Sequence, residues 1–401
     1  MILEFIHSDN SRESINLNLD VPIKNEWINI SSKSKLDFIK EFLPAYKSGQ
    51  KIVLFDSNHK QLLEFHKQNN INDLDSVDKV NDTCQLLFFT SGSSGFPVGA
   101  FKSKENLEQE LKVLKGLVEN YKIKQVIVSV PFVHIYGVLA GLLLPLYLDG
   151  VKLIVKDDFL PYEILEEASS NNSLIITTPV FIKALSKIND SKSLTSGLFI
   201  SSTGPLHIDD VTLFESKFET NLMQLFGSTE TGGIAYKFGS SNIWKAMQGV
   251  NVSTNEEKLS VSSAFISPYI FSEKITKLEQ PFISEDIIEL DDDGFILIGR
   301  SNKIIKIAGK RISALQIESI LEMIDGVEKV IIELVYKKEL LRSEQIMITM
   351  QSSCKIDKQT IKKRIKKYYG VLTIPFNVKY VDKIDHSAMG KKIIFTTKYS
   401  T

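Results

Sequence analysis

The sequence predicts an α/β fold: a large N-terminal domain of parallel sheets covered by helices, carrying a β-rich segment, and then a small α+β C-terminal domain. Three observations predict it. From about Lys124 to Glu230, short runs of Val, Ile and Leu alternate with stretches of helical period. From about Gly249 the pattern becomes that of antiparallel strands and hairpins. Beyond Gly299-Arg300 the strand pattern stops and restarts with helices of its own.

The apolar runs at 125–130, 151–155, 174–178, 197–202 and 222–226 read as buried strands. Strands that are apolar on both faces belong to a parallel sheet with helices on either side. Those helices are expected over Tyr162 to Ser169 and Val180 to Ile188. Residues 258–265 and 287–299 alternate as antiparallel strands, the second a hairpin closed by Asp293-Gly294. The last unit is expected to hold a helix over Ala314 to Ile324, strands at 327–336 and 345–350, a helix over Lys358 to Tyr369 and a strand at 376–381. This places a boundary near Asn302, dividing the chain into 1–301 and 302–401.

Composition narrows the function. A chain of 401 residues exceeds one typical core, and 43% apolar content can fill more than one. A net charge of −1 argues against bulk attraction to nucleic acid or an anionic membrane. Cys84 and Cys354 lie far apart, without the spacing of a disulfide framework or a zinc site. The start lacks the basic-then-apolar order of a signal peptide. The longest apolar run, Val138 to Leu148, is interrupted by Pro145 and is too short to span a bilayer. The expectation is a soluble, reduced, cytoplasmic protein with no nucleic acid partner and no integral membrane segment.

The strongest local signal is Thr90-Ser91-Gly92-Ser93-Ser94-Gly95, followed by Phe96-Pro97-Val98-Gly99 and preceded by an apolar strand. Glycines permit close backbone approach, so amides and hydroxyls can converge on phosphate oxygens. The spacing is not that of a P-loop, which needs a Gly-Lys pair. A flexible linker has similar composition, but a linker seldom begins on a buried strand.

Further segments give this loop a context. The segment from Thr90 to Gly99 resembles the phosphate loop of the adenylate-forming superfamily, which includes acyl-CoA synthetases, peptide-synthetase adenylation domains and luciferases. Pro131 to Gly137 resembles its acyl-pocket motif. Ser202-Thr203-Gly204-Pro205 resembles the turn beside adenine, and Phe226-Gly227-Ser228-Thr229-Glu230 the aromatic-Gly-x-Thr-Glu motif. Asp286 sits at the ribose-binding Asp, Gly299-Arg300 and Ile305 to Ile312 at the hinge and lid start, and Gly390-Lys391 at the catalytic Gly-Lys. Their common order from Thr90 to Lys391 carries the resemblance.

The resemblance implies ATP-dependent formation of an acyl-adenylate from a carboxylic acid, then transfer to the thiol of coenzyme A or of a carrier protein's phosphopantetheine. Joining two anions requires positive charge and a metal. Glu230 would bind Mg²⁺, Thr229 contact the α-phosphate, Phe226 stack on adenine, and Asp286 and Arg300 hold the ribose. Lys391, on a lid that closes for one half-reaction, would bring an ammonium to the carboxylate and α-phosphate. The lid segment around Ala308-Gly309-Lys310 would then face the thiol. His134 would pair with the substrate or gate the acyl pocket. Blander readings stand beside these: Thr-Glu as a helix start, Asp286 as a solvated strand charge, Lys391 as one tail lysine among several, His134 and Tyr136 as core.

Four departures mark this chain. Val98 replaces the loop lysine, and Lys102 or Lys104 is a candidate to reach the same phosphates. Thr203 stands where the family commonly has Gly, Asn302 where its hinge has Asp or Lys, and residues 1 to about 80 allow only an abbreviated N-terminal subdomain. The loop exit resembles that of short stand-alone ligases that load carrier proteins. The family's amino-acid enzymes place an Asp in the pocket early in the segment after the acyl motif; here Thr178-Pro179 and apolar neighbours stand near the expected wall instead, which favours an aryl or medium-length acyl acid. The lysines between Lys358 and Lys367 could greet an acidic carrier or the phosphates of coenzyme A, or form a solvated face. A weakened nucleotide or adenylate sensor is the competing reading.

Overall fold

The computed structural model describes residues 2–19, 21–24, 26–31, 34–56, 80, 83–90, 98–189, 193–194, 197–272, 274–301, 304–307, 310–336, 344–369 and 375–384. The fold is α/β, as the sequence predicts.

The N-terminal segment forms β1 (Ile2–Ile6), β2 (Arg12–Ile15), β3 (Ile28–Ile30), α1 (Lys35–Ser48) and β4 (Ile52–Leu54). Its strands join sheets shared with the rest of the chain. Strand β1 pairs parallel with a strand some distance along the chain, and β3 and β4 pair into a second sheet. That second sheet continues through β5 (Cys84–Thr90) and β6 (Val98–Ser103), an antiparallel pair with Thr90 opposite Val98. Helix α2 (Lys104–Val118) follows, its first turn closed by a reciprocal capping pair between Ser103 and Asn106.

The central strands β7 (Gln125–Val128), β8 (Lys152–Val155), β9 (Ser173–Thr177) and β10 (Leu198–Ser201) are parallel and, Lys152 apart, buried throughout. Between β7 and β8 lie a π-helical stretch, Gly137–Leu143, and the short α3 (Leu144–Tyr147). Helices α4 (Pro161–Ala168), α5 (Pro179–Lys187) and α6 (Ile208–Phe218) cover one face. Their apolar side chains cluster with Ile127, Ile175, Phe199 and Leu222 of the strands. The other face packs with Val128, Ile176, Ile200 and Met223 against α1, α2 and the second sheet.

Antiparallel strands extend the central sheet: β11 (Asn221–Ser228, parallel to β10), β12 (Gly232–Phe238), β13 (Ile243–Ala246), β14 (Asn251–Asn255) and β15 (Lys258–Ser262). After β16 (Tyr269–Phe271) and β17 (Ile275–Lys277), at the edge of the second sheet, β18 (Phe282–Asp291) and β19 (Gly294–Arg300) form the expected hairpin, but its turn is Asp292-Asp293, one residue earlier than expected, because Gly294 pairs with Asp291. Among the described residues, the result is one thirteen-stranded sheet beside one of six strands.

The C-terminal unit opens with the paired β20 (Ile304–Ile307) and β21 (Lys310–Ser313). Helix α7 (Ala314–Leu321), β22 (Val327–Tyr336), β23 (Glu344–Ser352), α8 (Lys358–Tyr369) and β24 (Phe376–Val381) then enclose a separate apolar cluster around Ile317, Val330, Ile348 and Ile361. Helix α7 ends three residues earlier than Ile324. No helix among the described residues is long and apolar enough to cross a membrane.

Candidate active site

The Thr229-Glu230 pair is not a helix start. Ser228 lies opposite Gly232 across the β11–β12 hairpin, and Thr229, Glu230 and Thr231 close it. Ser228 and Thr231 cross-brace the turn: the Ser228 amide donates to Thr231 Oγ1 and the Thr231 amide to Ser228 Oγ, each at 3.1 Å. Gly232 adopts φ +70°, which favours glycine. A Cβ on Gly227 would lie 2.2 Å from the Gly232 carbonyl oxygen, so no side chain fits there. Thr229 and Glu230 are left half-buried at the tip.

The turn is held from below. The Ser267 amide donates to the Glu230 carbonyl at 2.8 Å, and Ser267 Oγ to the Thr229 carbonyl at 3.5 Å. Lys102 Nζ donates to the carbonyls of Phe265 at 2.6 Å and Glu230 at 3.2 Å. The structure therefore overturns the expectation that Lys102 replaces the missing loop lysine. Its side chain is wholly buried and engaged by carbonyls, and burial lowers its pKa to about 8, partly offset by Glu110 and Glu230. Lys104 points outward in an ion pair with Glu108 at 3.8 Å.

Asp286 and Arg300 face each other across β18 and β19, with Arg300 Nε 3.7 Å from Asp286 Oδ1. Ser284 Oγ donates to Asp286 Oδ2 at 3.1 Å and accepts from the Asp286 amide at 3.0 Å. Burial pushes the Asp286 carboxyl above its ordinary range; Arg300 and Ser284 oppose this, and the charges of Glu285 and Glu230 add to it. The influence of Glu230 places the two carboxylates in one neighbourhood. Arg300 Nε is buried with no hydrogen-bond partner among the described residues, a donor suited to a ribose or phosphate oxygen.

Phe226 is half-buried, its ring tilted against Trp244 at 5.5 Å and Phe295 at 6.1 Å. Ser202 Oγ donates to the Leu225 carbonyl at 3.0 Å, tying the exit of β10 to the residue before Phe226. Thr203 takes φ +81°, so this chain keeps the glycine-like backbone of the turn while bearing a side chain. Gly204 and Pro205 follow it, exposed.

His134 is half-buried on the segment that enters the π-helical stretch. The entry is tight, because a Cβ on Gly137 would sit 2.0 Å from the Pro131 carbonyl oxygen. Tyr136 is a framework residue: its buried hydroxyl donates toward the carbonyls of Ile200 at 2.8 Å and Thr177 at 3.1 Å, joining the ends of β10 and β9.

The backbone of Thr90 is fixed by its pairing with Val98. Ser91, Gly92, Ser93, Ser94, Gly95, Asn302 and Lys391 lie outside the described residues, as do 308–309. Of the expected site, the structure places Phe226, Gly227, Thr229, Glu230 and the Ser202–Pro205 turn at the exits of β10 and β11, and sets Asp286 opposite Arg300 on the β18–β19 hairpin, within reach of the Glu230 charge. Ser267, Glu110 and Trp244 were not expected. The one signal for Glu110 was its place on the apolar stripe of an amphipathic helix, beside Leu107, Leu111 and Leu114; Ser267 offered none.

These elements, parallel strands delivering an aromatic-Gly-x-Thr-Glu turn beside an Asp-Arg pair, define a nucleotide-binding enzyme of the adenylate-forming superfamily. The sequence profile of the AMP-binding enzyme family matches residues 29–259, and the chain belongs to that family. Among similar proteins, VraA of Staphylococcus aureus (strain COL), which carries the name of a long chain fatty acid–CoA ligase, is 23% identical over 92% of this chain and 86% of its own length. The 3,4-dihydroxybenzoate–[aryl-carrier protein] ligase of Bacillus anthracis is 20% identical over 87% and 85%. The fold matches ATP-bound MatB of Rhodopseudomonas palustris (TM-score 0.76, 14% identity, 98% and 94% covered). It also matches the O-succinylbenzoate coenzyme A synthetase MenE of Bacillus subtilis with ATP and magnesium (TM-score 0.77, 14% identity, 97% and 95% covered).

Proposed function

We propose that this chain is an AMP-forming acid–thiol ligase. A carboxylate oxygen attacks the α-phosphorus of ATP, pyrophosphate leaves, and a thiolate then attacks the acyl carbon and expels AMP. The observation that carries the reading is the convergence of the Thr229-Glu230 turn with Asp286, Arg300 and Phe226. Phe226 offers a face to adenine, Asp286 and Arg300 the ribose contacts, and Thr229 a hydroxyl for the α-phosphate. Among the described residues no cluster of three or more acidic, His or Cys groups could hold a metal alone. A single carboxylate, Glu230, suits Mg²⁺, which is usually bound by one or two carboxylates together with substrate phosphates. There it would neutralise phosphate charge.

The phosphate loop at Thr90 to Gly95 would cradle the β- and γ-phosphates. Lys391, on a lid formed by residues 302–401, would neutralise charge as the adenylate forms, and His134 would border the acyl pocket. The substrate is an aryl or acyl acid, in keeping with relatives named for a long chain fatty acid, 4-coumarate, malonate and 3,4-dihydroxybenzoate. The acceptor is coenzyme A or a carrier-protein phosphopantetheine. We place the protein in the cytoplasm, where both occur.

The test is acid-dependent pyrophosphate release with ATP, Mg²⁺, hydroxylamine as trap and a panel of fatty, hydroxylated and aromatic acids. One acid class should turn over, and Lys391→Ala should lose at least about a hundredfold in rate. The burial of Lys102 favours a second reading, since nothing described replaces the charge lost at Val98. ATP binding without release for any acid would identify a nucleotide sensor instead.

A further inference from the structure

Two charged residues lie buried under the Thr229-Glu230 turn, and the roles given above do not use them. Lys102, on the strand leaving the phosphate loop, is 0% exposed; Glu110, on the following helix, is 5% exposed. Glu110 Oε1 accepts from the Gly233 amide at 2.8 Å, and Cβ atoms on Gly232 and Gly233 would lie 2.5 Å from Glu110 Oε2 and 3.1 Å from Oε1. The carboxylate is thus pressed flat against the backbone that leaves the turn. Lys102 holds the backbone at the tip through the Glu230 carbonyl and fixes the neighbouring Phe265 carbonyl. One ammonium and one carboxylate, eight positions apart in sequence, grip the two sides of a turn more than a hundred residues away.

Burying two charges is costly, and an apolar pair of similar volume commonly leaves a protein as stable or more so. Stability alone therefore gives no reason for this pair. Its partners do: they are backbone groups of the turn that presents Thr229 and Glu230. We propose that Lys102 and Glu110 are a positioning pair that fixes the Thr229-Glu230 turn relative to the strand leaving the phosphate loop. The pair touches no substrate and acts through backbone geometry. The inference rests on the reading of Glu230 as the residue that holds Mg²⁺.

The experiment compares the parent with Lys102→Met, Glu110→Leu and the double variant. Each single variant leaves one buried charge uncompensated, and its melting temperature should fall. The double variant should recover the parent's melting temperature while its pyrophosphate-release rate stays about a hundredfold low, the size expected when reacting groups are misplaced by about 1 Å. Its KM for the acid should change little. A readout independent of turnover is ATP affinity by calorimetry with Mg²⁺ and with EDTA. The parent should bind more tightly with Mg²⁺, and the double variant should lose at least fivefold of that difference. Recovery of both rate and Mg²⁺ dependence along with melting temperature would overturn the proposal and leave the pair a fold element. Failure of the parent itself to release pyrophosphate refutes the ligase reading separately, and the binding comparison still decides this one. A parent whose ATP affinity ignores Mg²⁺ overturns the positioning role.

Discussion

Tyr136→Phe isolates one hydroxyl. The ring stays, the volume hardly changes, and only the donor to the Ile200 and Thr177 carbonyls is removed. A hydroxyl has one proton, so the 2.8 Å contact to Ile200 carries most of the bond and the 3.1 Å contact is secondary. The net bond is worth about 1 kcal/mol, and a buried carbonyl left short of a partner costs about 1–3 kcal/mol more. Both carbonyls sit at strand ends where they retain a second lone pair, so the lower part of that range applies. We expect a loss of about 2 kcal/mol, roughly a 30-fold shift in the folding equilibrium. Urea unfolding followed by tryptophan fluorescence measures it, because both tryptophans, Trp27 and Trp244, are buried in the larger body. The midpoint should fall with no change in m. An unchanged midpoint would refute the claim that this hydroxyl joins β9 to β10, and a changed m would mean that the substitution altered more than one bond.

Two further outcomes follow from the backbone and charge of the site. Thr203→Gly should raise the urea midpoint: a positive φ costs a side-chain-bearing residue about 1–2 kcal/mol, and the added freedom of glycine when unfolded takes back about 0.5–1 kcal/mol. A lower midpoint would mean that the Thr203 side chain holds the turn. For Asp286, burial raises the folded-state pKa above the ordinary 3.8, so the folded protein binds this proton more tightly than the unfolded chain. Its contribution to stability is fully present below the unfolded value and is lost as pH rises through the folded pKa. Asp286→Asn cannot ionise, so its stability relative to the parent should rise across that window while its ATP affinity falls at least tenfold; the opposite pH trend would refute the assignment.

How much of this could be read in the sequence depends on how local the cause is. Strands β7 to β10 are almost wholly buried, and their unbroken Val, Ile and Leu content announces it. The β18–β19 hairpin is legible from its Asp-rich, Gly-ending turn signal, although the turn residues are Asp292 and Asp293 and Gly294 already pairs with Asp291. The path of the N-terminal segment is not, since β1 pairs with β8 through contacts that no local pattern specifies. Lys102 misled for a related reason. A lysine reads as solvent-facing unless its partners are known, and these are the carbonyls of Glu230 and Phe265. The Thr229-Glu230 turn was open to two readings until the pairing of Ser228 with Gly232 decided for a hairpin over a helix cap.

The C-terminal unit also touches the larger body through residues outside the turn. Tyr368 of α8 donates to Asp209 Oδ2 at 2.8 Å and sets its ring edge-on to His207 at 5.4 Å, while Lys183 of α5 lies 3.7 Å from Asp210 and 3.6 Å from Glu322. Across the two units these are a hydrogen bond to a carboxylate, a ring contact and the Lys183–Glu322 ion pair, and a pair of that last kind near the surface is worth about 1 kcal/mol or less. The charged ones fade with salt, because at about 0.1 M the screening length is only about 10 Å. Ionic strength is therefore an experimental handle on how firmly this unit is held, and it works without altering a single residue.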